Sequence, residues 1–162
     1  MPSQAPADLP IAALDGETRT VDEWPTLFQL VMVVLDPYTN ESAWILRTAG
    51  RVLTTFRGAD CRVAWLVTAD DADARTFLGP WADDLLTLVD PDRRVVKELG
   101  IEALPALVHI RQDSAIVGVA SGWRPPEWQA ITDRLGDIMS WSRPRIPAAG
   151  DPGPFDGSPA QG

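Results

Sequence analysis

The segment Leu99-Gly-Ile-Glu-Ala-Leu-Pro-Ala-Leu-Val108 joins a helix stop, a proline and the start of a strand. Gly100 ends a helical pattern that opens at Asp90-Pro91 and runs through Glu98, as a glycine just past a helix does. Pro105 then leads into Ala106-Leu-Val-His-Ile110, an apolar run of strand length. Ile116-Val-Gly-Val-Ala120 follows after the polar turn Arg111 to Ser114, so the two runs read as antiparallel neighbours. Gly122 breaks the second run, and Pro125-Pro126 begins a last helix with an apolar stripe of Trp128, Ile131, Leu135, Ile138 and Met139.

Working back from that segment, strands and helices alternate. Leu85 to Val89 is a short strand, and a helix starting at Asp70 or Asp71 precedes it and breaks at Gly79-Pro80. Arg62 to Thr68 is a buried strand. Residues 28 to 35 are nearly all apolar, as expected of a central strand covered on both faces. Between these two strands, Trp44, Ile45, Thr48, Val52, Leu53 and Phe56 fall near helical spacing, from Glu41 to a stop at Gly58. At the amino end, Pro10 to Leu14 and Thr18 to Val21 flank Asp15-Gly16, a hairpin signal because such turns need positive φ. Asp22 is placed to cap a short turn around Glu23 and Trp24. The order hairpin, β, α, β, α, β, α, β, β, α imposes right-handed crossovers and an α/β fold, with a central mixed sheet and helices on both faces. It spans residues 10–141. Residues 1–9 are expected to be loose. Residues 142–162, ending RPRIPAAGDPGPFDGSPAQG, are expected to form a disordered tail, since Pro, Gly and Ala bury too little apolar area to offset ordering.

Composition removes several chemistries. The chain of 162 residues has 14 basic and 23 acidic residues, a formal charge of −9, and no basic run, so nucleic acid is not an expected partner. Its acid clusters at Asp70-Asp71-Ala72-Asp73 and Asp83-Asp84, which read as charge favoured at helix starts. One cysteine, Cys61, excludes an internal disulfide, and one histidine, His109, leaves no Cys/His metal cluster. No phosphate-binding glycine motif is present, and neither a metal nor a cofactor is expected. No apolar stretch is long enough to span a membrane, and MPSQAPADLP has neither the basic start nor the apolar segment of a secretory signal. A cytoplasmic location is the expectation. The Pro, Ala, Arg and Asp content hints at a GC-rich bacterial source.

With these elements in place, the chain resembles the thioredoxin superfamily, in its thiol-reductase and redoxin-like branch. Leu99 to Val108 is similar to the family's Gly-Ile-x-x-Leu-Pro-x-Leu stretch, whose proline is cis and faces the active site. Leu14-Asp-Gly-Glu-Thr-Arg-Thr-Val21 is similar to the hairpin that opens redoxin domains. The resemblance implies that the turn after the strand at 30–35 carries an aromatic residue and then Cys-x-x-Cys. Counted from the strand end, Tyr38 takes the aromatic position, and Thr39-Asn40-Glu41-Ser42 stands where the cysteine pair belongs. No cysteine lies anywhere in residues 1–60.

Family redox work needs a thiolate at a helix N-terminus, and exchange needs a second sulfur to resolve the mixed disulfide. Hydroxyls do neither, so no catalytic residue is assigned. Thr39, Asn40 and Ser42 have two readings: helix capping, for which all three types are suited, or nucleophilic chemistry, which needs a base. His109, mid-strand and on the face of Leu107, reads as structural. Cys61 reads as a strand-end core residue, with a thiol-dependent oxidoreductase or peroxidase as the alternative. The resemblance implies that the backbone at Leu104-Pro105 can pair with an extended peptide, which requires no sulfur. Trp24, Trp81 and Trp123 stand near breaks and are candidate contact residues, against the reading that each plugs the core. The expected function is a redox-inactive thioredoxin-fold binding protein: an adaptor, accessory subunit or assembly chaperone. Its expected partners are proteins, docked along Leu104-Pro105 or through the tail.

Overall fold

The computed structural model describes residues 4–14, 16–25 and 29–161. Pro10–Ala13 (β1) and Thr18–Thr20 (β2) pair antiparallel with Ile11 opposite Arg19, giving the expected hairpin. Asp15, assigned to its turn, lies outside the described residues, as does Phe28 at the head of the apolar run. Gln29–Leu35 forms β3 and Asn40–Thr55 forms α1. Cys61–Val67 (β4), Asp71–Leu78 (α2), the short Trp81–Asp84 (α3), Leu86–Val89 (β5) and Arg94–Glu98 (α4) follow. The chain continues through Ala103–Leu104 (β6), Ala106–Ile110 (β7), Ile116–Ser121 (β8), Pro125–Met139 (α5) and Ser158–Pro159 (β9).

The main sheet has the order β2-β1-β5-β4-β3-β7-β8. β3, β4 and β5 are parallel, while β7 runs antiparallel to β3 and β8. β3 is central because both of its faces are apolar. Val31, Val33 and Leu35 point to a layer shared with α1 and α5, through Ile45, Val52, Leu53, Trp128 and Leu135. Leu30, Met32 and Val34 point to the opposite layer, closed by Val95 and Val96 of α4 and by Trp24. The polypeptide crosses from β3 into α1 at one end of the sheet, and Ala106 lies opposite Val34 at that same end. The Leu104–Pro105 peptide, which is cis, therefore sits beside the turn that starts α1.

Three expectations change. The helix expected from Asp90 begins only at Arg94, because the Asp90 carboxylate accepts from the Val95 and Val96 amides at 3.0 Å and caps the helix from a distance. The amino-terminal stretch expected to be loose is seated from Gln4 onward: Ala5 and Leu9 are buried, and the Ala5 amide donates to Ser114 O at 2.9 Å. Nor does the carboxyl-terminal segment trail away. From Trp141 it returns over α1, bridges Trp123 through Phe155, and ends as β9 against β6.

Candidate functional site

The turn from Leu35 into α1 is organised by Asp36, which is nearly fully buried. Its Oδ1 accepts from the Tyr38 amide at 3.0 Å, and its carbonyl accepts from Thr39 N at 3.2 Å and Thr39 Oγ1 at 3.0 Å. Its own amide donates to Ser42 Oγ at 2.9 Å. Thr39 occupies the N-cap position of α1, but its hydroxyl does not reach the helix amides. The two hydroxyl side chains thus tie the turn to itself, and capping by side chain, one of the two readings of these residues, does not occur at Thr39. Asn40 is exposed in the first turn of the helix, and Glu41 places a carboxylate there, favourable to the helix dipole.

Tyr38 stands out from this turn, 65% exposed, with its hydroxyl on Asp73 of α2. That carboxylate bond holds the phenol up at about 12. Across the turn, Arg93 donates to Asp36 Oδ2 at 2.7 Å and to the carbonyl of Ala160 at 2.6 Å. The guanidinium neutralises a carboxylate withdrawn from water and fastens the carboxyl-terminal segment to it. The structure brings Tyr38, Thr39, Asn40, Glu41 and Ser42 to the same end of the sheet as Leu104 and Pro105.

The Leu104 edge is paired within the chain. Ala103 lies opposite Pro159 and Leu104 opposite Ser158, antiparallel, and Ala160 N donates to Glu102 O at 3.0 Å. Ala160 is fully buried. Upstream, Phe155 and Trp123 exchange backbone bonds of 3.0 and 2.9 Å, and the Phe155 ring meets Trp44 edge-on at 5.7 Å. Sequence reasoning missed this segment, since its apolar anchors Ile146, Phe155 and Ala160 are dispersed among prolines and glycines.

The tryptophans are redistributed. Trp24 and Trp123, candidate contact residues, are buried: Trp24 Nε1 donates to Ile11 O, and Trp123 packs edge-on against Trp128. Trp81 is half-buried against Trp65. All three pack into or against the core. Trp44, which shares the helical spacing of Ile45 and Val52, is 57% exposed beside Phe155. It falls outside the stripe set by Ile45, Ala49, Val52 and Leu53.

Cys61 pairs with Gln29, at the end of β3–β4 remote from the α1 turn. Six residues of strand put it about 20 Å from Leu35. Burial pushes its thiol up to about 12. His109 is fully buried, with Nε2 on Gln29 Oε1 at 2.7 Å and Nδ1 unpartnered. It lines a cavity of about 230 Å³ with Glu127, Ile131 and Arg134, and lies opposite Val31, four residues along β3 from the strand end that leads into α1. Among the described residues no group of three or more His, Cys, Asp or Glu is placed to hold a metal, and no helix is long and apolar enough to cross a membrane.

No protein-family model and no curated protein sequence matches the chain. Solved structures do. A cysteine mutant of peroxiredoxin Q from Xanthomonas campestris aligns at 12% identity and TM-score 0.68, over 84% of this chain and 96% of that one. The exposed lipoprotein thioredoxin of Streptococcus pneumoniae aligns at 19% and 0.63, over 81% and 99%. A hypothetical protein from Sinorhizobium meliloti aligns at 13% and 0.67 over 99% of this chain and 94% of its own, hence across the returning carboxyl-terminal segment as well. At such identities the likeness establishes architecture: this chain has the thioredoxin-like fold, with a single cysteine.

Proposed function

We propose that the chain is a redox-inactive thioredoxin-fold protein that acts by binding another protein, as an adaptor, accessory subunit or assembly chaperone of a larger complex. One observation carries the reading. In the turn into α1, where the resemblance would put a reactive pair at Thr39-Asn40-Glu41-Ser42, both hydroxyls are engaged with Asp36. Cys61 gives no substitute: a thiol raised to about 12 presents almost no thiolate at neutral pH, and the chain has no second cysteine to resolve a mixed disulfide.

The test is functional and direct. The full chain is assayed for dithiothreitol-driven insulin reduction and for hydroperoxide consumption, alongside a thioredoxin and a peroxiredoxin as positive controls. Rates equal to the protein-free background are expected in both. Turnover that vanishes in Cys61→Ser would overturn the reading. Co-purification from the native host, followed by reconstitution of a stoichiometric complex from pure components, identifies the partner.

A further inference from the structure

Residues 157–160 lie along the Leu104 edge as an extended peptide ligand would, and several features of the chain are fitted to them and to the residues from 151 that lead there. Asp151 starts the segment, held by Arg51 at 2.6 Å and by Thr48 Oγ1 at 2.8 Å, both on α1. Trp123 Nε1 donates to Pro152 O at 2.8 Å. Phe155 then bridges to Trp123 and lays its ring against Trp44. Gly157 has φ +83°, and a Cβ there would overlap Leu104 O. Facing it, Gly122 has φ +79°, and a Cβ on it would come within 2.5 Å of Asp156 O. Two backbones cross where neither tolerates a side chain. Beyond the crossing, the two-residue ladder of β6 and β9 leads to Ala160, which is fully buried and latched by Arg93.

The grip is specific but shallow. Past Gly153 it rests on a half-buried Phe155, one buried methyl at Ala160, the Arg93 bond to the Ala160 carbonyl, the Gln161 side-chain amide on Ile101 O and short stretches of backbone pairing. Most of it is main-chain hydrogen bonding, each bond contributing about 1 kcal/mol net because water competes for the same groups. Segments that bury few apolar groups belong to the low-stability end of a fold and open before its core strands do.

We propose that the Leu104 edge is a peptide-docking site held shut by residues 152–161 of the same chain, and that its external ligand is an extended protein segment with an aromatic residue, glycine two positions on and alanine three further, which binds by displacing them. The inference rests on the binding function proposed above and specifies its partner. The pattern follows from the seat: an aromatic ring to meet Trp44, no Cβ under Leu104 O, and a small side chain in the closed pocket of Ala160. The side chain at position 156 is unrestricted, since that of Asp156 is 90% exposed and pairs with Arg124 at 3.0 Å. The tether gives the resident segment an effective concentration of about millimolar, so an outside peptide of equal intrinsic affinity binds the closed chain far more weakly than an opened one.

The probe is the fluorescently labelled peptide PGPFDGSPAQ, the sequence of residues 152–161, titrated by anisotropy into the full chain. Three proteins are compared: the wild type, Gly157→Val, which cannot seat its own segment, and Phe155→Ala, which loses the Trp44 contact. Both variants leave the groove residues untouched. At least tenfold tighter binding to each variant than to wild type is expected, and loss of binding when the peptide's own glycine is valine. If Gly157→Val does not fold by circular dichroism, Phe155→Ala decides. Equal affinities across the three proteins, or no binding to any, overturn the proposal. So does hydrogen exchange in the wild type that shows the Ala160 amide opening no faster than the β3 amides. A chain that neither binds the peptide nor reduces insulin leaves the redox-inactive reading in place. A chain that binds the peptide and reduces insulin removes that reading alone.

Discussion

Removing the imidazole at position 109 should abolish a specific loss of stability in acid. His109 lies between Val31 of β3 and Gly118 of β8, under α5. The groups that face it are Gln29 on β3, Glu127 and Arg134 on α5, and Arg111 further along its own segment. Burial, reinforced by Arg134 and Arg111, holds the ring down at about 4, against 6.5 for a free histidine. Between those values the unfolded chain takes a proton that the folded chain refuses. Stability from this group is therefore fully present above about pH 6.5, falls as pH drops, and stops falling near pH 4. The displacement corresponds to about 3 kcal/mol, at about 1.4 kcal/mol for each tenfold step. For a domain of this size that is about 10 °C in Tm. Thermal melts of wild type and His109→Gln at pH 7.5, 6, 5 and 4 measure it. The wild type should lose about 10 °C more than the variant over that range. Subtracting the variant cancels the carboxylates, including Asp90, whose burial raises it and works in the opposite direction. Parallel curves for the two proteins would refute the assignment of a buried, neutral His109.

Alkylation of Cys61 by iodoacetamide at pH 8 should run on the order of 10³ slower than that of a free thiol, because the reactive species is the thiolate and burial withholds it; denaturing the chain should restore the ordinary rate. Gly50→Ala should lower Tm although alanine favours a helix by about 1 kcal/mol, since the new Cβ meets the Trp81 ring and overpacking costs about 1–3 kcal/mol. A thermal melt of Gly50→Ala beside Gly50→Ala/Trp81→Leu, which clears the space, checks the cause.

Much of the fold was legible because it is written in local periodicities. The apolar run that became β3, the stripe of Trp128, Ile131 and Leu135, and Pro125 at the first position of α5 each carry their own signal. The absence of sulfur from the α1 turn was plain for the same reason. The returning carboxyl-terminal segment was not legible, since it is ordered by partners far away in sequence. Asp151 meets Arg51 and Thr48, and Ala160 meets Arg93. A composition rule that weighs only apolar area passes over such ties. Trp44 and Trp24 show a related limit. Helical spacing places Trp44 within one residue of the buried stripe, yet that one residue turns it off the face of Ile45, Ala49 and Val52, and a break surrounds Trp24, yet the Ile11 carbonyl and its neighbours bury it.

The flanks of the main sheet bear on how the protein behaves at high concentration. β2 is three residues long, and β8, at the other flank, has Arg134 reaching from α5 to Val117 O at 3.2 Å while Gln4 bridges Ala115 just before it. A cation fixed over one carbonyl and a stub in place of a full-length ribbon leave little uninterrupted backbone for a second molecule to zip onto. The architecture thus resists fibril-like stacking at both borders.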